Sequence, residues 1–147
     1  MAKSTVITGS TGEHFVAAEL QRHGFTVAFP PVRTEDIDLL VMNRKSKIPL
    51  AIQVKTTKGS QKKWMLNKKN ERITSPGIFY VFVSLNDNGT PSYHVVPSDI
   101  VAKAITLSHD KWLASPGKHG QKHTDTAIRT FEDKDDEYLD RWDLLES

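Results

Sequence analysis

The chain has 147 residues, the usual length of one compact domain with a single hydrophobic core. It contains no cysteine, which excludes disulfides, thiolate zinc sites, iron–sulfur clusters and cysteine nucleophiles, so any metal must be held by oxygen or imidazole ligands. No apolar stretch approaches the roughly 20 residues of a membrane-spanning helix, and residues 1–10 lack the apolar core of a signal peptide. We therefore expect one domain over residues 1–147, in the cytoplasm and without a membrane partner.

Charge is distributed unevenly along the chain. The formal net charge is only +2, but residues 44–72 carry ten lysine or arginine side chains against one acid, Glu71, a local balance of +9. Residues 132–146 carry eight acids against two bases, a local balance of −6. The basic block favours a polyanionic partner such as nucleic acid, because phosphate contacts release counterions. A solvated lysine-rich loop is the alternative interpretation.

Apolar periodicity and turn residues predict the elements in chain order. Ser10 or Thr11 is expected to cap a first helix that ends at Gly24. Glu13 would then lie in the first turn, where the helix dipole favours a carboxylate. Strands are predicted over residues 25–29, 37–42, 50–56, 78–85 and 93–96. The segment 58–75 is predicted to be basic and irregular, and Ser98 can cap a second helix that runs to about residue 107.

The last third of the chain is expected to add to a core of about residues 9–107. Residues 109–130 are rich in glycine, histidine and lysine and show no clear period. Residues 135–145 are predicted to form an acidic helix. Its apolar stripe would dock on the body of the protein or on a second subunit, and consists of Tyr138, Leu139, Trp142 and Leu145.

Glu13 is placed unusually for a charged residue. At 100° per residue it lies in the middle of the apolar arc formed by Val16, Ala17 and Leu20. A carboxylate that faces a core destabilises the protein by roughly several kcal/mol unless it is paired, hydrogen-bonded or bound to a metal. The position of Glu13 therefore predicts a partner.

The second and third predicted strands offer that partner. Period-2 alternation puts Asp38 on one face of the second strand and puts Gln53 and Lys55 on one face of the third. If the turn at residues 43–49 makes the two strands antiparallel, Asp38 lies beside Gln53 to Lys55. If the first helix packs on the same face, Glu13 completes a cluster of two carboxylates, one amide and one ammonium.

This cluster suits metal-assisted hydrolysis of a phosphodiester. Oxygen ligands from Asp38, Glu13 and the Gln53 amide are those that Mg²⁺ prefers. A bound ion would activate the attacking water, while Lys55 would orient that water or stabilise the transition state. The alternative is an ion pair of Lys55 with Glu13 or Asp38 and no metal.

The same residues resemble the core signature of a known group, the PD-(D/E)XK nuclease superfamily with its restriction-endonuclease-like fold. They are Gly12-Glu13 on a first helix, Ile37-Asp38-Leu39-Leu40-Val41 on one strand and Ile52-Gln53-Val54-Lys55 on the next. The resemblance covers about residues 9–101. It implies an α/β fold with an αβββαβ core and a central mixed sheet, and cleavage of nucleic acid that depends on Mg²⁺ or Mn²⁺. It also implies roles for three residues: Asp38 as the main metal ligand, Lys55 as the motif lysine and Glu13 as the first-helix carboxylate.

Two residues depart from the superfamily pattern. Ile37 replaces the motif proline, and Gln53 stands where most members carry Asp or Glu, so the site has one negative charge fewer. An amide still offers a carbonyl oxygen to a metal, and glutamine variants occur among active members. Catalysis by Glu13, Asp38, Gln53 and Lys55 is therefore expected. A binding module of the same fold without activity and an RNase-type toxin domain are the alternatives.

The candidate nucleic-acid contacts follow the third predicted strand, and they are Thr57, Lys58, Lys62, Lys63, Trp64, Lys68 and Lys69. An aromatic side chain between lysines, such as Trp64, can stack on a base, but packing in the core is favoured, because a chain with 37% hydrophobic residues needs its large side chains there. Asp36 is either a second acid beside Asp38 or a solvated residue at the strand entry. DNA is favoured over RNA as the partner, and a homodimer would let two sites cut both strands of a duplex.

Overall fold

A mixed five-stranded sheet forms the centre of the protein, in a computed structural model that describes residues 2–31 and 34–146. The helices are α1 (Ala2–Arg22) and α2 (Ser98–Ala114), with two short 3-10 helices, Lys68–Arg72 and Trp142–Leu145. The strands are β1 (Phe25–Ala28), β2 (Leu39–Asn43), β3 (Pro49–Thr57), β4 (Lys63–Asn67), β5 (Ile78–Ser84), β6 (Ser92–Pro97) and β7 (Ile128–Glu132).

The strand order of the central sheet is β1-β2-β3-β5-β6, with β3 and β5 parallel and the other neighbours antiparallel. The strands β4 and β7 form a separate antiparallel pair. The predicted α/β class with a central mixed sheet is confirmed. The connection from β3 to β5 contains β4 and a 3-10 helix, whereas the longer helix α2 follows β6.

Both faces of the central sheet are covered, which explains the nearly continuous apolar run of β5. On one face, Val81 and Val83 of β5 pack in the same core as Val16 and Leu20 of α1. On the other face, Tyr80 and Phe82 of β5 pack against α2 and the β4–β7 pair. Neither helix in the described part of the chain combines the length and the hydropathy that a membrane span requires.

The start of α1 differs from the sequence prediction. The helix begins at Ala2, so Ser10 and Thr11 do not cap it and Glu13 lies in its middle instead of its first turn. The Thr11 hydroxyl donates a hydrogen bond of 2.7 Å to the Ile7 carbonyl, one turn earlier, which satisfies the hydroxyl inside a helix. The predicted end is confirmed, because Gly24 has a φ of 88°, in the left-handed region that favours glycine.

The basic segment 58–75 is ordered, and its description as irregular was wrong. The strand β4 alternates between buried and exposed side chains, with Trp64 and Leu66 buried against the central sheet. Trp64 is 1% exposed, and its Nε1 donates a hydrogen bond of 2.9 Å to the Val83 carbonyl. Trp64 therefore packs in the core, as the favoured interpretation expected, and is too buried to stack on a base.

The C-terminal segment also differs from the sequence prediction. Instead of a helix over 135–145, it forms turns followed by the 3-10 helix Trp142–Leu145. The Asp133 carboxylate accepts hydrogen bonds from the backbone amides of Glu137 and Tyr138, an arrangement that competes with helical hydrogen bonding. Trp142 and Leu145 are buried in the core beside α1, so the apolar stripe docks on the body of the protein.

Gly12 lets α1 approach the sheet closely, because a Cβ at this position would overlap the Thr56 side chain. We expect Gly12→Ala to lower the free energy of unfolding by about 1–3 kcal/mol, the usual cost of overpacking. Gly9→Ala is the matched control, because a Cβ there meets no atom within 4 Å. In urea denaturation Gly9→Ala should be stabilising by up to about 1 kcal/mol, from helix propensity alone. Equal effects of the two substitutions would contradict a close contact at Gly12.

Candidate active site

The predicted site residues lie where β2 and β3 separate. The two strands pair from Leu39 with Ile52 to Met42 with Pro49, and the Asp38 amide donates a 2.9 Å hydrogen bond to the Ile52 carbonyl. Beyond this point β3 continues to Thr57 without β2. We call this place the strand fork. The antiparallel pairing that the short turn predicted is confirmed.

Asp38 is fixed at the strand fork by its side chain as well as its backbone. Its Oδ2 accepts a hydrogen bond of 2.8 Å from the Val54 amide, one residue from both Gln53 and Lys55. The predicted placement of Asp38 beside Gln53 to Lys55 is therefore confirmed. Because the backbone amide holds one carboxylate oxygen, the orientation of the Asp38 side chain is set before any ligand binds.

Gln53 and Lys55 project from the same face of β3. In the parallel register they pair with Tyr80 and Phe82 of β5, so they share the face that those rings occupy. Gln53 is 6% exposed, and its Oε1 is buried without a hydrogen-bond partner among the described residues. A buried amide oxygen without a donor is costly, and a cation at this place would satisfy it.

Glu13 reaches the strand fork from the opposite side of the sheet. The helix α1 packs on the face of Ile52 and Val54, so the condition that it packs on the Asp38 face is not met. Glu13 nevertheless lies next to Gly12, which contacts Thr56 at the end of β3. The structure thus brings Glu13 to the edge of the fork.

Both carboxyl groups have pKa values above their usual range. Burial raises the pKa of Glu13, and the negative charge of Asp38 raises it further. Burial also raises the pKa of Asp38; the Val54 hydrogen bond and the Lys55 charge oppose this effect, and Asp36 adds to it. A divalent cation bound between these two carboxylates would lower both pKa values, because its charge offsets their burial and their mutual repulsion.

Burial lowers the pKa of Lys55, and the nearby Lys69 lowers it further, whereas Asp38 and Asp36 act in the opposite direction. Within the described part of the chain, the Lys55 ammonium makes no ion pair within 4.0 Å. The alternative of a Lys55 ion pair with Glu13 or Asp38 is therefore not observed. The ammonium remains available to an anionic ligand.

The structure places the predicted nucleic-acid contacts in different surroundings. Lys69 lies beside the fork, where its Nζ is 3.1 Å from Asp36 Oδ1. Lys62 instead pairs with Asp136 of the acidic C-terminal segment, at 2.8 Å. Lys58, Lys63 and Lys68 are exposed and make no ion pair within 4.0 Å among the described residues. The Thr57 hydroxyl is buried at the end of β3 and has no hydrogen-bond partner among the described residues.

The donor set at the fork fits a hard divalent cation, because its atoms are carboxylate and amide oxygens. Among residues 2–31 and 34–146, no group of three or more His, Cys, Asp or Glu side chains is placed to hold a metal ion. The third donor at this fork is the amide of Gln53. A cation here would thus be bound by Glu13 and Asp38 with help from a neutral oxygen.

Comparison with known proteins identifies the fold. The sequence matches no protein-family profile, and a search of curated proteins found no match. Among solved structures, the fold matches that of the bacterial homing endonuclease I-Ssp6803I, with a TM-score of 0.60 and 14% sequence identity. The fold of this chain is thus similar to that of a homing endonuclease. The match covers 97% of this chain and 91% of that chain, so it includes α1, the strand fork and the C-terminal segment.

Proposed function

We propose that the protein is a metal-dependent nuclease of the PD-(D/E)XK superfamily that hydrolyses phosphodiester bonds in DNA. The arrangement of Asp38, Gln53 and Lys55 at the strand fork carries this proposal. Asp38 is oriented by the Val54 amide, and the Gln53 oxygen is buried with no hydrogen-bond partner among the described residues. The fold likeness to a homing endonuclease supports the proposal at the level of the fold.

The chemistry follows from the groups at the fork. Asp38, Gln53 and Glu13 would hold Mg²⁺ or Mn²⁺, which supplies an activated water and offsets the charge of the phosphate when bound. The Lys55 ammonium donates hydrogen bonds to a phosphate oxygen or to the attacking water. Its partial burial strengthens these bonds, because the local dielectric is low. The exposed lysines Lys58 and Lys68 would contact the backbone of the nucleic acid.

A binding module of the same fold is the second candidate. The amide at Gln53 favours it, because the site then has one negative charge fewer to attract a cation. Such a protein would use the basic residues for affinity and would not need Lys55 as a catalyst. Metal-dependent cleavage separates the two candidates.

A panel of nucleic acids tests the proposal. It contains supercoiled, linear, branched and single-stranded DNA together with transfer RNA, each incubated with Mg²⁺, Mn²⁺ or EDTA. We expect DNA to be cleaved in the presence of Mg²⁺ or Mn²⁺ and not in the presence of EDTA. Substitution of a residue that supports a metal ligand usually lowers activity roughly 10- to 100-fold. Asp38→Asn changes the proposed ligand itself and should reduce the rate by more than this. Asp110→Asn, at an exposed position on α2, is the matched control and should cleave like the wild type.

Each remaining outcome of this panel has a defined meaning. Salt-sensitive DNA binding without cleavage, unchanged in Asp38→Asn, would show a binding module. Metal-dependent cleavage of transfer RNA in preference to DNA would show a ribonuclease instead. Cleavage that Asp38→Asn leaves intact would place the active site elsewhere.

A further inference from the structure

An ion pair between Asp36 and Lys69 borders the strand fork. The Lys69 Nζ lies 3.1 Å from Asp36 Oδ1, and the two side chains are 55% and 30% exposed. Asp36 lies two residues before Asp38 in the chain, whereas Lys69 comes from the 3-10 helix Lys68–Arg72 that follows β4. Two distant segments thus meet beside the candidate metal site.

The 3-10 helix is anchored so that Lys69 is held at this place. The Asn67 side chain accepts a hydrogen bond from the Lys69 amide, and the Asn70 side chain accepts one from the Asn67 amide. Asn70 is buried and also donates a 2.8 Å hydrogen bond to the Tyr80 hydroxyl of β5. Tyr80 is the register partner of Gln53, so the 3-10 helix is fixed to the strand next to the site.

Asp36 has an unusual conformation for a solvated loop residue. Its φ is 58°, in the left-handed region that only a few per cent of non-glycine residues adopt. Its Oδ1 is buried and makes no hydrogen bond within the described residues, so the Lys69 ion pair is the contact that compensates this oxygen.

The negative charge of Asp36 also affects two ionisable side chains near the strand fork. Burial is the main cause of the raised pKa of Asp38, and the Asp36 charge adds a smaller contribution; burial likewise raises the pKa of Tyr80 to about 12, again with a smaller contribution from Asp36. The ion-pair partner of Asp36, Lys69, belongs to the 3-10 helix that Asn70 fixes to Tyr80, and Tyr80 is the register partner of Gln53. The negative charge that an acid at position 53 would supply is thus present nearby.

We propose that Asp36 supplies the negative charge that Gln53 lacks, and that Lys69 is its counterion until a divalent cation binds with Asp38 and Gln53. This inference rests on the proposed metal site. Lys69 and the cation then compete for one carboxylate, so substitutions at the two positions have opposite effects. Removal of Asp36 weakens cation binding, and removal of the Lys69 ammonium strengthens it.

Titration calorimetry with Mn²⁺ on the full chain tests the inference without relying on cleavage. Asp36→Asn is suited to the test, because asparagine also adopts left-handed φ values and should keep the loop conformation. We expect it to weaken Mn²⁺ binding about 10-fold or more. Lys69→Met should strengthen binding about two- to fivefold, the range of a partly exposed ion pair.

The controls are Glu35→Gln and Lys68→Met, at exposed residues that precede Asp36 and Lys69 in the chain and carry the same charges. Neither control should alter the Mn²⁺ affinity. Asp38→Asn reports on the metal site itself. If it abolishes binding while Asp36→Asn and Lys69→Met leave the affinity unchanged, the inference fails and the proposed function stands. If Asp38→Asn has no effect, the proposed metal site fails. Weaker binding by Lys69→Met would also overturn the inference, even if Asp36→Asn did not fold.

Discussion

Replacement of Lys55 by methionine should lower the rate of metal-dependent cleavage about 100- to 1,000-fold, the cost of losing one preorganised donor to a transition-state charge. The ammonium is partly buried at the strand fork and has no ion-pair partner within 4.0 Å among the described residues. Methionine keeps the length and most of the volume of the side chain, so the fold should persist. Single-turnover cleavage at saturating protein measures the effect separately from binding.

The pH profile distinguishes a charged Lys55 from a merely structural one. Burial lowers the pKa of Lys55, so the ammonium loses its proton at a pH below the ordinary range of lysine, and activity should fall as the pH rises through that value. Lys55→Arg keeps a positive charge at high pH and should extend activity to more alkaline solution. As the pH is lowered, Glu13 and Asp38 should take up protons at a higher pH than ordinary carboxyl groups, because their pKa values are raised. The loss of activity on the acidic side should therefore begin at a higher pH than ordinary carboxyl groups would give. An unchanged alkaline limb in Lys55→Arg would assign that limb to another group.

Trp64→Ala should lower the free energy of unfolding by about 3–5 kcal/mol, the usual cost of removing a large aromatic side chain from a core. The ring lies 5.1 Å from the rings of both Phe82 and His94, and its Nε1 bonds the Val83 carbonyl. Substitution therefore leaves a cavity and removes one hydrogen bond to the Val83 carbonyl. Urea denaturation followed by circular dichroism measures the change.

Met65→Ala is the matched control for Trp64→Ala. Met65 is the next residue of β4 but is 69% exposed, so its removal should change stability by less than about 0.5 kcal/mol. If Trp64→Ala instead weakened DNA binding without loss of stability, the side chain would act on the surface. That result would contradict the packing of β4 on the central sheet.

Local patterns in the sequence determined the strands that build the fork. The alternation over 37–42 and 50–56 predicted β2 and β3, because side chains of a strand point to opposite faces in turn. The short connection between them is compatible with an antiparallel pair, and the structure has this pairing, with Asp38 beside Gln53 and Lys55. Strand formation and the pairing of two strands joined by a short turn depend on residues that are close in the chain. Hydrophobic periodicity detects such local patterns.

The pair of β4 and β7 was missed, although a signal was present. Residues Lys63–Asn67 alternate strictly between exposed and buried, and Ile128–Glu132 contains the buried Arg129 and Phe131. Five residues of alternation are a weak signal without a partner strand nearby. Here the partner lies at the far end of the chain, so each strand becomes stable only when the fold brings the two together on the central sheet.

The tertiary structure alone decided how the charged residues meet. A helical wheel shows that Glu13 shares the apolar face of α1, but it does not show which face of the sheet that helix covers. The pairing of Asp36 with Lys69 depends on the 3-10 helix after β4 and on its anchor at Tyr80. Electrostatic pairing follows distance in space, whereas sequence patterns report on distance along the chain. The sequence thus determined which acids and bases are present, and the packing of α1 and β4 determined which of them act together.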